Sequence, residues 1–138
     1  MLSLALVVLL AFVNIRLQQH LAEYEGSSSE QFSTVKLTGT SNAPGATGVL
    51  VISQDGNLGT LIVDNLPPLD ASRQYQLWLI QDGQRTSGGV FSVSPAGYGA
   101  MTVNSKLPLI TYTTFGITIG PTGGSPGPTG AKVMGGGT

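Results

Sequence analysis

The sequence predicts an all-β domain, an immunoglobulin-like antiparallel β-sandwich, preceded by one apolar N-terminal helix. Three features point to it. From Phe32 onward, short runs rich in β-branched and aromatic residues alternate with turn signals at close spacing, the pattern of a sandwich or barrel. Glycine (20 residues) and proline (8) are plentiful, and many of them fall between those runs. Ahead of them, Leu2 to Val13 is apolar and uncharged, and no glycine or proline occurs before Gly26.

Residues 1–25 are expected to form the helix, because Asn14 to Tyr24 continues the apolar run in good helix formers. Spanning a bilayer takes about 20 apolar residues, and Met1 to Val13 is shorter than that. Three readings fit: a transmembrane helix whose beginning is missing, a signal or membrane-interfacial segment, and a buried or oligomer-packed helix. No basic residue precedes the run and no small-x-small cleavage site follows it, so the first reading leads. Arg16, on a long flexible stem, can snorkel to lipid headgroups, and the residues after it read as a juxtamembrane stalk. Residues 26–31, with Gly26, Ser27, Ser28 and Ser29, then break the helix and have the composition of a flexible linker. The β domain is placed at 32–138.

Eight strands are expected, near Ser33–Leu37, Val49–Ser53, Leu58–Asp64, Gln74–Gln81, Gly88–Val93, Ala100–Val103, Thr113–Ile119 and Ala131–Met134. Asp55-Gly56 and Asp82-Gly83 are hairpin turns, since Asp and Gly tolerate positive φ. Phe115, Ile117 and Ile119 alternate with Gly116 and Thr118, which describes a half-buried strand. The strand around Trp78 is apolar on both faces, with Tyr75, Leu77 and Leu79 on one and Trp78 and Ile80 on the other, so it is a central strand. Trp78 reads as a packing anchor rather than a ligand platform. Leu66-Pro67-Pro68-Leu69 lacks two ladder donors and crosses between strands, its leucines capping one end of the core. Gly135 to Thr138 reads as a frayed end.

Composition excludes several functions. Charged residues are 9% of the chain, against roughly 25% in an average domain, and the formal net charge is -1. With no Lys or Arg cluster there is no field to hold a nucleic-acid backbone. Cysteine is absent, so disulfides and thiolate metal sites are excluded. The single histidine, His20, falls on the predicted stalk, remote in sequence from any partner for a catalytic triad. Asp55 and Asp82 occupy turns, and Asp64 and Asp70 flank the proline connector, positions with ordinary hydrogen-bonding work. The glycine-rich run Gly120 to Gly130 ends in no Lys-Ser or Lys-Thr and precedes no helix, so it is not a phosphate loop. Its prolines indicate a semi-rigid loop. No enzyme activity, cofactor or metal is expected.

Five pieces occur in a characteristic order: the hairpin Leu50 to Gly56, the Leu66-Pro67-Pro68-Leu69 connector, Tyr75-Gln76-Leu77-Trp78-Leu79-Ile80, the strand Gly88 to Phe91, and the Gly/Pro/Thr-rich loop from Gly120. Together they resemble the extracytoplasmic C-terminal domain of the anti-sigma-K factor family of bacterial membrane proteins. Leu66, Pro67, Pro68, Tyr75, Leu77, Trp78 and Leu79 are its core signature here. Many members carry an acidic residue just before the final-loop proline, where this chain has Gly120, so no role for that carboxylate transfers.

The resemblance implies a regulator of transcription in the bacterial cell membrane, single-pass, with the β domain outside. Its partners would be a sigma factor, held by a cytoplasmic domain not present in this sequence, together with membrane lipid and an envelope protease that releases the sigma factor. The cleavage region is expected at Tyr24 to Thr34, including Gly26, Ser27, Ser28 and Ser29, where little apolar material is available to order the chain. The competing expectation is a membrane-anchored or self-assembling binding module, homo-oligomeric through the N-terminal helix, with no sigma-factor role.

Overall fold

The computed structural model describes residues 2–27 and 31–138. The chain divides into two compact units, Met1–Gln31 and Phe32–Thr138.

In the first unit, α1 is a 26-residue helix, Leu2–Ser27. Its segment Ser3–Ala22 is long and apolar enough to cross a membrane. Leu4, Val8, Phe12, Ile15 and Leu21 are all exposed, and the apolar side chains are spread around the helix rather than gathered on one face. The break expected at Gly26 comes later, because Gly26 and Ser27 are helical. Glycine costs about 1 kcal/mol in a helix interior, a penalty that weighs least in a final turn. Ser28 and Ser29 lie outside the described residues.

The second unit is antiparallel throughout: β1 (Ser33–Gly39), β2 (Thr47–Ile52), β3 (Gly59–Asp64), β4 (Arg73–Gln81), β5 (Gln84–Phe91), β6 (Gly99–Thr102), β7 (Thr114–Pro121) and β8 (Lys132–Gly137). All eight expected strands are present, with ends shifted by a few residues. The all-β architecture behind an apolar helix is as expected. Hydrogen bonding runs through every strand in the order β5-β4-β7-β8-β1-β2-β3-β6, so the layers expected of a sandwich are halves of one sheet. They meet at β8 and β1, whose register joins Thr38 to Gly135 and Gly39 to Met134. The far edges also approach: a bulge leaves Gly88 unpaired in the β4–β5 ladder, and its carbonyl accepts from the Asn104 amide at 2.9 Å.

One hydrophobic core serves both halves. Tyr75, Leu77, Leu79, Phe115 and Ile117 from one meet Val35, Leu37, Leu50, Leu61 and Val63 from the other. Leu66 is buried within this core and Leu69 packs against it, as a capping connector requires. The two-residue turn between β4 and β5 has Asp82 at φ 50° and Gly83 at φ 76°, matching the strand twist.

The C-terminal end is not frayed. Gly135, Gly136 and Gly137 belong to β8, which pairs with β7 on one side and β1 on the other. Glycine is needed at the last two of these positions because the neighbouring backbone comes so close. A Cβ on Gly136 would stand 2.2 Å from the Lys36 carbonyl oxygen, and one on Gly137 would stand 2.8 Å from that of Thr113. Glycine's weak strand propensity makes the same tripeptide read as an unstructured end.

Gly136→Val is therefore expected to push β1 from β8 and cost about 3 kcal/mol, lowering the melting temperature by roughly 10–20 °C. Gly45→Ala, at a site where an added Cβ meets nothing within 4 Å, is the control and leaves it unchanged. Thermal unfolding followed by circular dichroism checks both.

Candidate functional site

The signature residues divide by strand parity into two groups. Tyr75, Leu77 and Leu79 point into the core and are at most 1% exposed. Tyr75 stacks on Phe91 with ring centroids 5.6 Å apart, and its hydroxyl donates to the Pro67 carbonyl at 2.5 Å. This bond fixes the connector to the strand: Pro67 and Pro68 are exposed, and Leu66 dips into the core. Burial raises the Tyr75 phenol above its ordinary value, with Arg73 pulling the other way.

Gln74, Gln76, Trp78 and Ile80 alternate with that set on the opposite face of β4. Trp78 is buried, as expected of an anchor, but it is absent from the main core. It lies across from Gly116 and donates from Nε1 to the Thr118 hydroxyl at 2.8 Å. What shields this face is the loop between β7 and β8. Gln76, 3% exposed, donates from Nε2 to the Ser87 hydroxyl at 2.8 Å and to the Ser125 carbonyl at 3.1 Å. Its Oε1 accepts from the Ser125 amide at 3.1 Å. Gln74 Oε1 accepts from the Gly123 amide at 2.9 Å, and the Thr122 hydroxyl donates to the Ala71 carbonyl at 2.6 Å. Gly123 and Gly124 take φ near 90°, which lets the loop turn back over the strand.

The amides of the first half of the loop are thus committed within the domain. Thr122, Gly123, Gly124 and Ser125 donate to Ser72, Gln74, Pro121 and Gln76, so these four form no fan of free N–H groups for a phosphate. The final loop acts as a strap.

Two concavities flank the strap. One, about 250 Å³, is lined by Trp78, Ile80, Arg85, Thr118, Pro128 and Lys132, among others. The other, about 500 Å³, lies along β5 and β6 and includes Gln76, Ser87, Met101, Asn104 and Ser125. Their convergent groups are amides, hydroxyls and cations. Among the described residues no group of three His, Cys, Asp or Glu is placed to hold a metal.

The aspartates do local work. The Ser53 hydroxyl, with help from Asn57, holds the Asp55 carboxyl below its usual range. Ser72 and then Arg73 do the same for Asp70, which also pairs with Arg73 at 3.1 Å. Asp64 accepts from the Asn65 amide at 2.8 Å, beside a backbone turn at φ 58°.

Of the expected cleavage region, Tyr24, Gly26 and Ser27 are helical and Thr34 is in β1, opposite Val51. Five residues, 28–32, separate the two elements. The polar face of β4, with Gln74 and Gln76, escapes a reading by residue type, because glutamine in a strand looks like ordinary surface. Period-2 alternation with Trp78 is the signal that marks it.

Comparison with known proteins agrees with this layout. The sequence model of the family "Anti-sigma-K factor rskA, C-terminal" matches residues 1–133. The chain is 34% identical over 86 residues to the anti-sigma-K factor RskA of Mycobacterium ulcerans (strain Agy99), covering 62% of this chain and 36% of that protein. It is 34% identical over 88 residues to RskA of Mycobacterium tuberculosis (strain ATCC 25618 / H37Rv), covering 61% and 36%. An uncharacterized protein in the phr 5′ region of Streptomyces griseus is 29% identical over 114 residues, 83% of this chain and 44% of that protein. No solved structure matches. The chain spans between a third and a half of the length of these relatives.

Two expected outcomes test the site. Tyr75→Phe removes the bond to Pro67 and should cost about 1 kcal/mol. Because the folded phenol titrates above its unfolded value of about 10, the native state holds the proton more tightly; that stabilisation is complete below pH about 10 and is lost as pH rises through the folded value. Wild type should therefore lose stability more steeply than Tyr75→Phe in strong alkali, as measured by denaturant titration. Gln76→Ala leaves the Ser125 amide and carbonyl without their Gln76 partners and should cost about 1–3 kcal/mol, with faster hydrogen exchange at Gly123 and Ser125 as the readout. With the family model running from the apolar helix into the last strand, this chain belongs to the anti-sigma-K factor C-terminal family.

Proposed function

We propose that this chain is the membrane anchor and extracytoplasmic domain of an anti-sigma factor, a non-enzymatic regulator of transcription. The reading rests on a family match that is continuous across α1 and the β domain. In this reading a sigma factor is gripped on the cytoplasmic side by a part of the protein that this chain does not span.

Three physical arguments support the anchor and its direction. Segment Ser3–Ala22 has 20 residues, and at about 1.5 Å per residue it matches a hydrocarbon core of about 30 Å. From Leu4 to Val13 the apolar side chains lie on every side of the helix, which suits lipid, whereas a helix packed on a globular partner is apolar on one stripe; the polar residues Asn14, Arg16, Gln18, Gln19 and His20 follow toward the end of the segment, where the sequence reads as a stalk. The flank after the span carries no Lys or Arg before Lys36, as expected of a non-cytoplasmic flank.

The junction supplies the switch. A protease needs an extended substrate, and five residues between α1 and β1 give it little length. Engaging the full Tyr24 to Thr34 region requires the start of β1 to leave its pairing with Ile52 and Val51. Access is then governed by how often β1 opens, so destabilising the β domain promotes sigma-factor release.

Alkaline phosphatase fused after Thr138 should be active in cells, and a green fluorescent protein fused there through a translocated chain should stay dark; the reverse pattern would refute the proposed orientation. Val35→Ala, which removes buried contacts in β1, should cost about 1–2 kcal/mol and raise cleavage at the junction about tenfold, followed by mass spectrometry of the membrane-bound product. Cleavage that stays at the wild-type rate would separate the domain's stability from release.

A further inference from the structure

We propose that the cavity beside Trp78 is a binding site for a small anionic group, a carboxylate or a phosphate, held between Arg85 and Lys132. The β domain is poor in charge: the cations of residues 32–138 are Lys36, Arg73, Arg85, Lys106 and Lys132. Two of these line one cavity of about 250 Å³, and no Asp or Glu lines it with them. The ion pair formed by Arg73 and Asp70 lies elsewhere, and among the described residues neither Arg85 nor Lys132 has a carboxylate partner.

The cavity also holds an unspent donor. Thr118, 6% exposed, accepts from Trp78 Nε1, and its own hydroxyl hydrogen goes to no acceptor among the described residues. Two cations and one hydroxyl donor facing a shared space call for a ligand rich in acceptor atoms. An arginine fork suits the paired oxygens of carboxylate and phosphate alike. The volume is below that of a drug-sized pocket, so one anionic group fits, whether free or borne on a larger molecule.

Lys132 is held in place by an absence of side chains. Its stem runs over the paired glycines Gly116 and Gly135: a Cβ on Gly135 would stand 2.8 Å from Lys132 Cε and 2.9 Å from Nζ. Gly135→Ala therefore displaces the flexible end of Lys132 and leaves its charge intact.

The test uses the full chain in neutral detergent, with Trp78, the single tryptophan, as the fluorescent reporter. Inorganic phosphate and glucuronate are titrated separately at constant ionic strength. A saturable change with either one supports the site, and which of them acts assigns phosphate or carboxylate. Arg85→Gln and Lys132→Gln should each weaken binding about tenfold, the loss of one charge-assisted hydrogen bond. Gly135→Ala should weaken it by a smaller factor, and Lys36→Gln should not change it. A response that fails to saturate with both anions, or that falls equally in Lys36→Gln, overturns the proposal.

Discussion

Close packing of backbone along β8 is what allows the two halves of the β domain to share a core. Each half of the sheet contributes one wall, and β8 joins them through a short register with β1. Side chains at Gly136 and Gly137 would hold the neighbouring backbone away. Without that closeness the inward faces of β4 and β7 would not meet those of β1, β2 and β3. The chain's last strand is in this sense its keystone, and it becomes available only after the strands on both sides of it have been made.

Strand β8 also touches the first strand of the β domain. Strand β1 is held by β2 on one side and by β8 on the other, and β1 directly follows the junction with the apolar helix. The pairing with β8 falls at Thr38 and Gly39, while Ser33 and Thr34, next to the junction, pair with β2. The strap is tied to the same seam, because Gln74 and Gln76 bind the loop that leads into β8. The outer face of β4 is thus joined to the loop before the seam by a few amide hydrogen bonds.

Much of this architecture is legible in the sequence. Alternating apolar runs and turn residues locate all eight strands, and Tyr75, Leu77 and Leu79 are recognisable as core because they share parity on a strand rich in large side chains. The capping role of Leu66 is equally readable from two prolines that cannot sit inside a ladder. What is hidden depends on tertiary proximity. Gly136 and Gly137 lack any side chain to report their neighbours, so their place in the sheet emerges only when Lys36 and Thr113 are seen beside them. Gln76 looks like a surface residue until Ser125 covers it, and the helix outruns Gly26 because a single glycine is a weak stop.

Native-state hydrogen exchange of the full chain, comparing amides of β8 with those of β4 and β7, puts the keystone to the test. If β8 holds the halves together, Val133 and Met134 should exchange only through global unfolding, with the same opening free energy as Leu77 and Ile117. Exchange of β8 at much lower free energy, while β4 and β7 remain protected, would show that the halves stand without it and that β8 is no keystone.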